Sequence, residues 1–402
     1  MREPLANREL CSFCSLLCEL PDETFGGDSQ NALAPSLACP KRDRIRSLIP
    51  PGPDSYQAPL ARAIEMVQRA NSVLVTGRIY TVESARSAID FARRFDALID
   101  PWDSDGAFDA ITSMQRVGGY SVSLGEARDR SDLWIVIGDD RVLEQTPRLP
   151  EAMRCGRAVP VLLLGRWSDS SIQAWSDAGF QTVCIETNIE QLPRILSQTI
   201  RLGSEYCDSQ TGKWILNAKY TTVLYAPQSL DIQNRDLWID LIHRWVLQRN
   251  ETTRIATLAW ANLQATFHQT CTWLTGFPGR IRFENQSAQF EPNRYRAKDW
   301  CGQQASEPLG LHRPLLVWVD DSVEEFPREF ESLGIPKIAI NPRGCSPGLS
   351  EHVWLPTGIA GLNYGANMFR GDQTILARVT CKDPKGYSLQ TSPTDWLGRL
   401  TR

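Results

Sequence analysis

Four cysteines near the N-terminus have the most specific spacing of any side chains in the sequence. Cys11, Cys14, Cys18 and Cys39 form a C-x2-C-x3-C-x20-C run. Thiolates two and three residues apart on one loop can converge on a metal, and a fourth from further along the chain closes the site. The uneven first spacings favour a [4Fe–4S] cluster over zinc, whose structural sites usually use two pairs of like spacing. We therefore predict a cluster on these four cysteines, with zinc and ordinary free thiols as the alternatives.

The composition of the chain limits the kinds of partner that we expect for the protein. The chain has 402 residues, of which 42 % are hydrophobic and 22 % charged, and a formal charge of −4, so we expect two or three globular domains and no nucleic-acid partner. The start, MREPLANREL, lacks the apolar core of a secretory signal, and no later run approaches the roughly 18 apolar residues of a membrane span. We predict a cytoplasmic protein that does not contact a membrane.

Short apolar runs alternate with amphipathic segments along most of the chain, which indicates an α/β fold. Runs that are continuously apolar and bounded by Gly, Asp or Pro are typical of parallel strands buried on both faces. The predicted strands are 72–76, 98–101, 133–138, 159–165, 182–185, 221–224, 255–258, 315–319 and 338–340. Helices are predicted over 82–95 and 237–248. A proline-rich stretch at 49–53 marks a boundary, because proline fixes its backbone angle and lacks an amide donor.

These elements predict two doubly wound α/β lobes behind a cysteine-rich segment. The predicted domains are residues 1–50 for the cysteine-rich iron–sulfur segment, 51–213 for the first lobe, and 214–402 for the second lobe with a C-terminal return segment. The two lobes are expected to join near residues 202–213.

Polar groups follow three of the predicted strands, at the sheet edge where open α/β folds hold ligands. The turn from Thr76 to Arg78 could hold an anion at the N-terminus of the next helix, but a plain strand-to-helix turn is favoured because no G-x-G-x-x-G or P-loop motif is present. Asp139-Asp140 and Asp320-Asp321 follow the other two strands. Paired carboxylates would repel a pyrophosphate, and the alternative is that they are solvated strand ends or helix caps. The four histidines form no metal-binding pair, and no catalytic residue is assigned.

The sequence resembles the B subunit of formylmethanofuran dehydrogenase and, more closely, its bacterial counterpart in the formyltransferase/hydrolase complex. The resemblance spans nearly the whole chain and is carried by residues 11–18 (CSFCSLLC), 115–118 (QRVG), 124–126 (LGE), 130–133 (RSDL), 274–278 (LTGFP) and 355–361 (LPTGIAG). It implies a molybdopterin-oxidoreductase-like fold of the kind seen in formate dehydrogenase domains 1–3, with two α/β lobes behind an iron–sulfur segment.

The resemblance also implies a redox site that this chain has lost. In the archaeal dehydrogenases, a cysteine followed by a histidine serves tungsten or molybdenum held by a pterin guanine dinucleotide. Counting back from residues 115–118, that pair falls near Gly106-Ala107, and the segment 100–114 contains no cysteine. Asp139-Asp140 replaces a polar turn of the family. We therefore expect molybdopterin, tungsten and molybdenum to be absent, and expect Trp102 and Phe108 to fill part of the vacated cleft.

The implied function is that of a structural B subunit in a formyltransferase/hydrolase complex of tetrahydromethanopterin-linked one-carbon metabolism. That complex moves a formyl group from formyl-tetrahydromethanopterin to a methanofuran-type amine and hydrolyses it to formate, and its other subunits are the expected partners. Two alternatives remain open at this point. One is an active tungsten- or molybdenum-dependent formylmethanofuran dehydrogenase catalytic subunit, and the other is a zinc-bound interaction module.

Overall fold

A computed structural model describes residues 10–19, 39, 56–187, 191, 210–230, 233–306, 313–331, 333–343, 352–381 and 391–402. The proline-rich stretch at 49–53, most of the segment 1–50, and residues 202–209 of the predicted junction lie outside the described residues. Within the described part, no helix combines the length and apolar character that a bilayer crossing requires.

The first sheet has seven strands and gathers them from three separate stretches of the chain. Its order is β12-β11-β10-β1-β2-β8-β9. The first five are parallel, and β8 and β9 extend the sheet as an antiparallel hairpin. Their bounds are β1 (Ser72–Thr76), β2 (Leu98–Ile99), β8 (Ile281–Glu284), β9 (Ser287–Phe290), β10 (Pro314–Val319), β11 (Lys337–Asn341) and β12 (His352–Pro356).

The second sheet has five parallel strands in the order β5-β4-β3-β6-β7. They are β3 (Leu133–Asp139), β4 (Pro160–Arg166), β5 (Gln181–Glu186), β6 (Tyr220–Tyr225) and β7 (Arg254–Ala259). The chain starts at the central β3, runs outward to β5 and then resumes beside β3 with β6. This is the doubly wound order, and it places a topological switch point between β3 and β6. The first sheet has the equivalent point between β1 and β10.

Helices cover both faces of each sheet, which explains why the central strands are apolar without alternation. β10 is buried along its whole length. The helices are α1 (Gln57–Arg69), α2 (Val82–Arg94), α3 (Asp105–Val117), α4 (Leu124–Arg130), α5 (Arg141–Gln145), α6 (Leu149–Met153), α7 (Asp169–Asp177), α8 (Gln210–Asn217), α9 (Arg235–Arg249), α10 (Ala265–Thr275), α11 (Ala297–Ser306), α12 (Arg328–Glu331) and α13 (Pro393–Leu400). A separate antiparallel pair, β13 (Ala366–Phe369) and β14 (Leu376–Val379), packs near α10 and α2.

The predicted α/β class with parallel sheets is confirmed, but the strands do not pair as two consecutive lobes. β6 and β7 follow residue 213 and yet pair in the sheet of β3, whereas β10 returns to pair with β1. The five-stranded sheet is therefore inserted into the seven-stranded one, and the division between 51–213 and 214–402 needs correction. Apolar runs locate strands but carry no information about which strands become neighbours.

The two halves of the first sheet meet at a point where only glycine fits. Gly77 follows β1 with a φ of +139°, and a Cβ there would lie 1.9 Å from the carbonyl oxygen of Val319 in β10. The close approach lets the turn after β1 lie directly beside the turn after β10. Both turns carry the polar residues that the sequence singled out.

Replacing Gly77 should break this approach. We expect Gly77→Ala to lower the free energy of unfolding by about 3 kcal/mol or to prevent folding, because the contacted atoms are backbone and cannot swing aside. Gly125→Ala is the matched control, since a Cβ at Gly125 in α4 meets nothing within 4 Å and alanine is the better helix former. Urea unfolding measures both variants. Equal stability of Gly77→Ala and wild type would contradict the packing described.

Candidate functional site at the switch points of the two sheets

The switch point of the first sheet is closed by a buried ion pair. Asp320 follows β10 and is fully buried, and its Oδ2 accepts hydrogen bonds from Arg78 Nε at 2.9 Å and Arg78 Nη2 at 2.5 Å. Trp318 Nε1 donates to the same oxygen at 3.1 Å. Arg78 Nη1 also reaches Glu324 Oε2 at 2.7 Å. The guanidinium that follows β1 is therefore bound to carboxylates of this chain and is not available to an anionic ligand.

The second aspartate of this turn binds the segment just before α2, whose N-cap is Thr81. Asp321 Oδ2 accepts the backbone N–H of Tyr80 at 2.8 Å and of Thr81 at 3.1 Å. Its Oδ1 accepts the hydroxyls of Ser84 at 2.8 Å and Tyr364 at 3.3 Å. A helix N-terminus offers unpaired N–H groups and the positive end of the helix dipole, which is the usual binding site for a phosphate. Here the Oγ1 of Thr81 accepts the N–H of Ser84 at 3.1 Å, and the Asp321 carboxylate lies beside the same helix end.

These contacts decide between the alternatives left by the sequence. The turn from Thr76 to Arg78 is not an open anion site, because Asp320 binds its guanidinium and Asp321 binds the N–H groups of Tyr80 and Thr81 that follow it. Neither aspartate is the N-cap of α2, which is Thr81. The idea of a solvated strand end is wrong, since Asp320 is 0 % and Asp321 7 % exposed. Burial raises the pKa of Asp321 to about 6, although the two backbone N–H groups and Ser84 oppose the rise.

The switch point of the second sheet is closed in a similar way. Asp139 pairs with Arg141, whose Nε lies 3.0 Å from both carboxylate oxygens. Arg141 Nη2 also donates to the carbonyl of Ser229, which lies in the turn after β6. Asp140 accepts the backbone N–H of Ser168, the residue before α7, at 3.0 Å. Both carboxylates flagged by the sequence thus hold neighbouring turns together.

A cavity of about 240 Å³ remains between the two sheet edges, and we call it the first cavity. Its lining comes from the N-terminal loop, the turns after β1, β2, β7 and β10, and the segment after β12: Ser12, Phe13, Cys14, Ser15, Arg78, Tyr80, Trp102, Asp103, Gln145, Asn262, Leu263, Gln264, Asp321, Ser322, Val323, Glu324, Ile359, Ala360 and Met368. Trp102 borders this space, as expected, and packs edge-on against Phe330 with ring centroids 4.9 Å apart.

A second cavity of about 220 Å³ adjoins the first, and Asp103, Asn262 and Gln264 line both. The other residues around the second cavity are mainly small and apolar: Ala107, Ala110, Ile111, Met114, Tyr225, Pro227, Gln228, Ala259, Ala261, Ala265, His268 and Gln373. Phe108 does not line either cavity. It stacks with Phe290 and lies under the guanidinium of Arg280, whose Cζ is 4.1 Å from the ring centroid.

Gln264 ties the two sheets together at this point, and sequence reasoning missed it. It follows β7 of the second sheet and is 2 % exposed. Its Nε2 donates to the carbonyls of Gly77, at 3.2 Å, and of Trp102, and its Oε1 accepts the N–H of Ile79 at 3.3 Å. All three partners belong to the first sheet's turns. No motif marks such a glutamine, because its partners lie more than 160 positions away.

Gly106 lies in the first turn of α3 with no room for a side chain. A Cβ there would meet the backbone of the 3-10 turn Pro227–Ser229, at 2.8 Å from Gln228 N and 2.9 Å from Pro227 C. Ala107 faces the second cavity. Neither residue can ligate a metal or carry a proton, as the sequence indicated.

The cysteine loop packs beside the first cavity. The N–H of Cys11 donates to the carbonyl of Cys18 at 2.8 Å, and Ser12 Oγ donates to the carbonyl of Ala360 at 2.5 Å. Burial and the nearby thiols of Cys14, Cys11 and Cys39 together raise the pKa of Cys18 to about 12. The thiol of Cys18 therefore lies within electrostatic reach of the other three. Among the described residues, however, no group of three or more His, Cys, Asp or Glu side chains is placed to hold a metal ion.

One further motif of the sequence supports no assignment. Residues 344–348 read G-C-S-P-G, which fits the G-x-S-x-G pattern of a nucleophile elbow. They lie outside the described residues.

Comparison with known proteins shows a likeness in structure. No family model matches the chain, and no curated protein matches it. Among solved structures, the chain is similar to a chain of the formyltransferase/hydrolase complex (FhcABCD) from Methylorubrum extorquens, determined in complex with methylofuran. The TM-score is 0.69 at 18 % identity, and the alignment covers 88 % of this chain and 97 % of the other. At this identity the likeness establishes a shared fold.

The buried carboxyl group of Asp321 makes the free energy of unfolding depend on pH in a defined direction. Because folding raises the pKa of Asp321 to about 6, its protonated form favours the folded state, and this contribution is full below about pH 4 and is lost as the pH rises through 6. Asp321→Asn should remove about 2 kcal/mol of pH dependence between pH 4 and 7, because an amide keeps an oxygen for the N–H groups of Tyr80 and Thr81.

Unfolding in urea at pH 4, 5, 6 and 7 measures this difference. The exposed Asp169→Asn serves as the control and should follow wild type in parallel. Asp321→Ala should be destabilised at every pH, by about 2 kcal/mol, because it leaves buried N–H groups unpaired. A constant difference between Asp321→Asn and wild type across this range would show that folding does not raise the pKa of Asp321.

Proposed function

We propose that this chain is the B subunit of a formyltransferase/hydrolase complex of tetrahydromethanopterin-linked one-carbon metabolism, acting in the cytoplasm as a structural subunit. The likeness to a chain of the M. extorquens complex, over 88 % of this chain and 97 % of the other, supports the assignment to such an assembly. The short motifs at 11–18, 115–118, 274–278 and 355–361 support the choice of the B subunit within it. Formyl transfer and hydrolysis would belong to the other subunits.

The observation that supports a structural role is that aspartates of the chain itself bind the hydrogen-bond donors at the first switch point. A pterin guanine dinucleotide needs donors for its pyrophosphate, and a helix N-terminus and an arginine are the usual ones. In this chain, Asp321 binds the N–H groups of Tyr80 and Thr81 just before α2, and Asp320 binds Arg78. A pyrophosphate there would have to displace two buried carboxylates of its own sign. The residues therefore do not fit this cofactor.

The position proposed for the metal ligand gives independent support. If Gly106 corresponds to the metal-ligating cysteine of the dehydrogenases, the backbone of Gln228 now fills the space of its side chain. Restoring a cysteine would require the turn Pro227–Ser229 to move. Two changes at different places thus oppose binding of the same cofactor, which favours a structural subunit over an active dehydrogenase.

Purification of the tagged chain from its native host tests this proposal. We expect it to co-purify with formyltransferase and hydrolase subunits. The isolated complex should transfer formyl groups from formyl-tetrahydromethanopterin to a methanofuran-type amine and release formate, and it should contain no stoichiometric tungsten or molybdenum. Metal analysis, subunit identification and a formate assay provide the three measurements.

A variant in the first cavity separates the structural role from a catalytic one. Trp102→Ala empties part of the cavity wall, and a purely structural subunit should leave turnover per assembled complex unchanged. Loss of formyl transfer in a complex that still assembles would contradict the proposal. Stoichiometric tungsten or molybdenum, or dye reduction with the formylated substrate, would favour the active dehydrogenase instead.

We further propose that Cys11, Cys14, Cys18 and Cys39 together hold one [4Fe–4S] cluster. The spacing, and the electrostatic influence of the other three thiols on Cys18, support this. Anaerobically purified protein should be brown and contain about four irons and four acid-labile sulfides. Cys14→Ser should lose them, whereas Cys155→Ser, outside the run, should keep them. Colourless protein that binds zinc would favour a zinc module, and protein without metal would leave these residues as ordinary thiols.

A further inference from the structure

One edge of the hairpin formed by β13 and β14 is open, and apolar side chains are exposed beside it. We propose that this edge is a docking site for an extended segment of another polypeptide, which adds to β14 as a third strand. The partner is another subunit of the complex, so this identification rests on the function proposed above. The hairpin register, the exposed side chains and one unpaired arginine support the proposal.

The register of the hairpin determines which backbone groups point outward. The N–H of Arg370 donates to the carbonyl of Ile375 at 2.9 Å, which makes these residues a hydrogen-bonded pair next to the turn. Opposite residues of an antiparallel ladder alternate between hydrogen-bonded and non-hydrogen-bonded pairs. Two of the following pairs are therefore non-hydrogen-bonded, and their N–H and C=O groups point out of the hairpin: Phe369 with Leu376, and Asn367 with Arg378.

The two outer edges of the hairpin differ in what meets these outward groups. On the side of β13, the N–H of Asn367 donates to Glu83 of α2, at 3.0 Å. The N–H of Phe369 donates to the hydroxyl of Thr266 of α10, also at 3.0 Å. On the side of β14, no group of the described residues bonds to the outward N–H and C=O groups. The edge of β13 is therefore closed, whereas β14 offers the free backbone groups that an added strand needs.

Exposed apolar side chains lie next to the open edge. Leu376 is 48 % exposed, and its opposite residue Phe369 packs against Trp273 with ring centroids 5.4 Å apart. Trp273, in the last turn of α10, is itself 57 % exposed. Because directly opposite residues point to the same face of a sheet, the three side chains form a row across α10, β13 and β14. A tryptophan exposed to this extent is typical of a residue that anchors a protein interface.

The charge beside the open edge defines the partner further. Arg370, next to the turn, is bound to Asp372, whereas Arg378 is exposed and pairs with no acidic side chain of the described residues. Leu376 and Arg378 point to the same face of β14, since they are two positions apart. The added segment should therefore carry an apolar and an acidic residue two positions apart, opposite these two side chains.

Photo-cross-linking from position 376 tests which chain occupies the edge. The full chain, with benzoylphenylalanine in place of Leu376, is purified from its native host together with its bound subunits and irradiated. We expect a covalent link to a formyltransferase or hydrolase subunit, within a segment that contains an acidic residue. The same analogue in place of Leu237, which is 54 % exposed on α9, is the control and should not link to that segment.

Substitutions at the edge test the docking without a cross-linker. Leu376→Asp places a charge in the apolar row, and Arg378→Glu repels the acidic residue of the partner. Each should lower the amount of the linked subunit recovered with the chain about tenfold. Arg378→Lys keeps the charge, and Leu237→Asp changes a similarly exposed leucine elsewhere, so both should recover that subunit as wild type does. Thermal unfolding checks that each variant is folded.

The outcomes separate a failure of this proposal from a failure of the proposed function. If wild type recovers the formyltransferase and hydrolase subunits, and Leu376→Asp and Arg378→Glu recover them equally well, the docking site is wrong and the proposed function stands. If wild type recovers none of these subunits, the proposed function is wrong and this partner with it. A cross-link from position 376 to a second copy of the chain would also overturn the proposal.

Discussion

The hydrogen bonds between the Asp321 carboxylate and the segment just before α2 hold together the sheet edge at which open α/β folds bind ligands. β1 and β10 are neighbours, and Gly77 lets their following turns touch. That contact buries the N–H groups of Tyr80 and Thr81, just before α2, next to the turn after β10. Buried N–H groups need acceptors, and a dinucleotide-binding protein obtains them from its ligand. This chain obtains them from its own sequence, 240 positions away.

The turns of the second sheet also need partners for their polar groups, and the side chains that supply them there are less buried. Asp139 and Arg141 form a pair that is partly exposed, and Asp140 accepts the first free N–H group near α7. Both sheets thus present carboxylates at the edge where open α/β folds bind ligands. Carboxylates outnumber the arginines that pair with them at both edges, with Asp320, Asp321 and Glu324 near Arg78, and Asp139 and Asp140 near Arg141. An anionic ligand would gain little attraction and would have to displace existing hydrogen bonds.

The sequence predicted the elements well and their connections poorly, for a physical reason. Continuous apolar runs located β1, β3, β4 and β10 because a strand buried on both faces has no polar position. The same runs say nothing about partners, so the insertion of β3 to β7 between β2 and β8 was missed. The hairpin of β8 and β9 was also missed, since its exposed edge residues alternate and no turn motif stands out.

The candidate site, too, was predicted from the sequence only in part. Asp139-Asp140 and Asp320-Asp321 were found because strand ends are visible in the sequence, and their effect on a pyrophosphate followed from charge alone. Their burial was not visible, because Arg78 and the N–H groups they satisfy lie in turns that only the fold brings near. Gln264 was missed as a site residue for the same reason. Its role depends on which polar atoms are hydrogen-bonded and which are not, and that is a property of the packed structure.

The cavities between the sheets remain because an unpaired buried charge costs more free energy than an unfilled polar cavity. A buried helix N-terminus or arginine without a partner costs several kcal/mol, so a fold without its ligand must supply carboxylates at those points. A polar cavity costs far less, since water can enter and bond to its walls. The carboxylates therefore close the charged positions while the cavities persist.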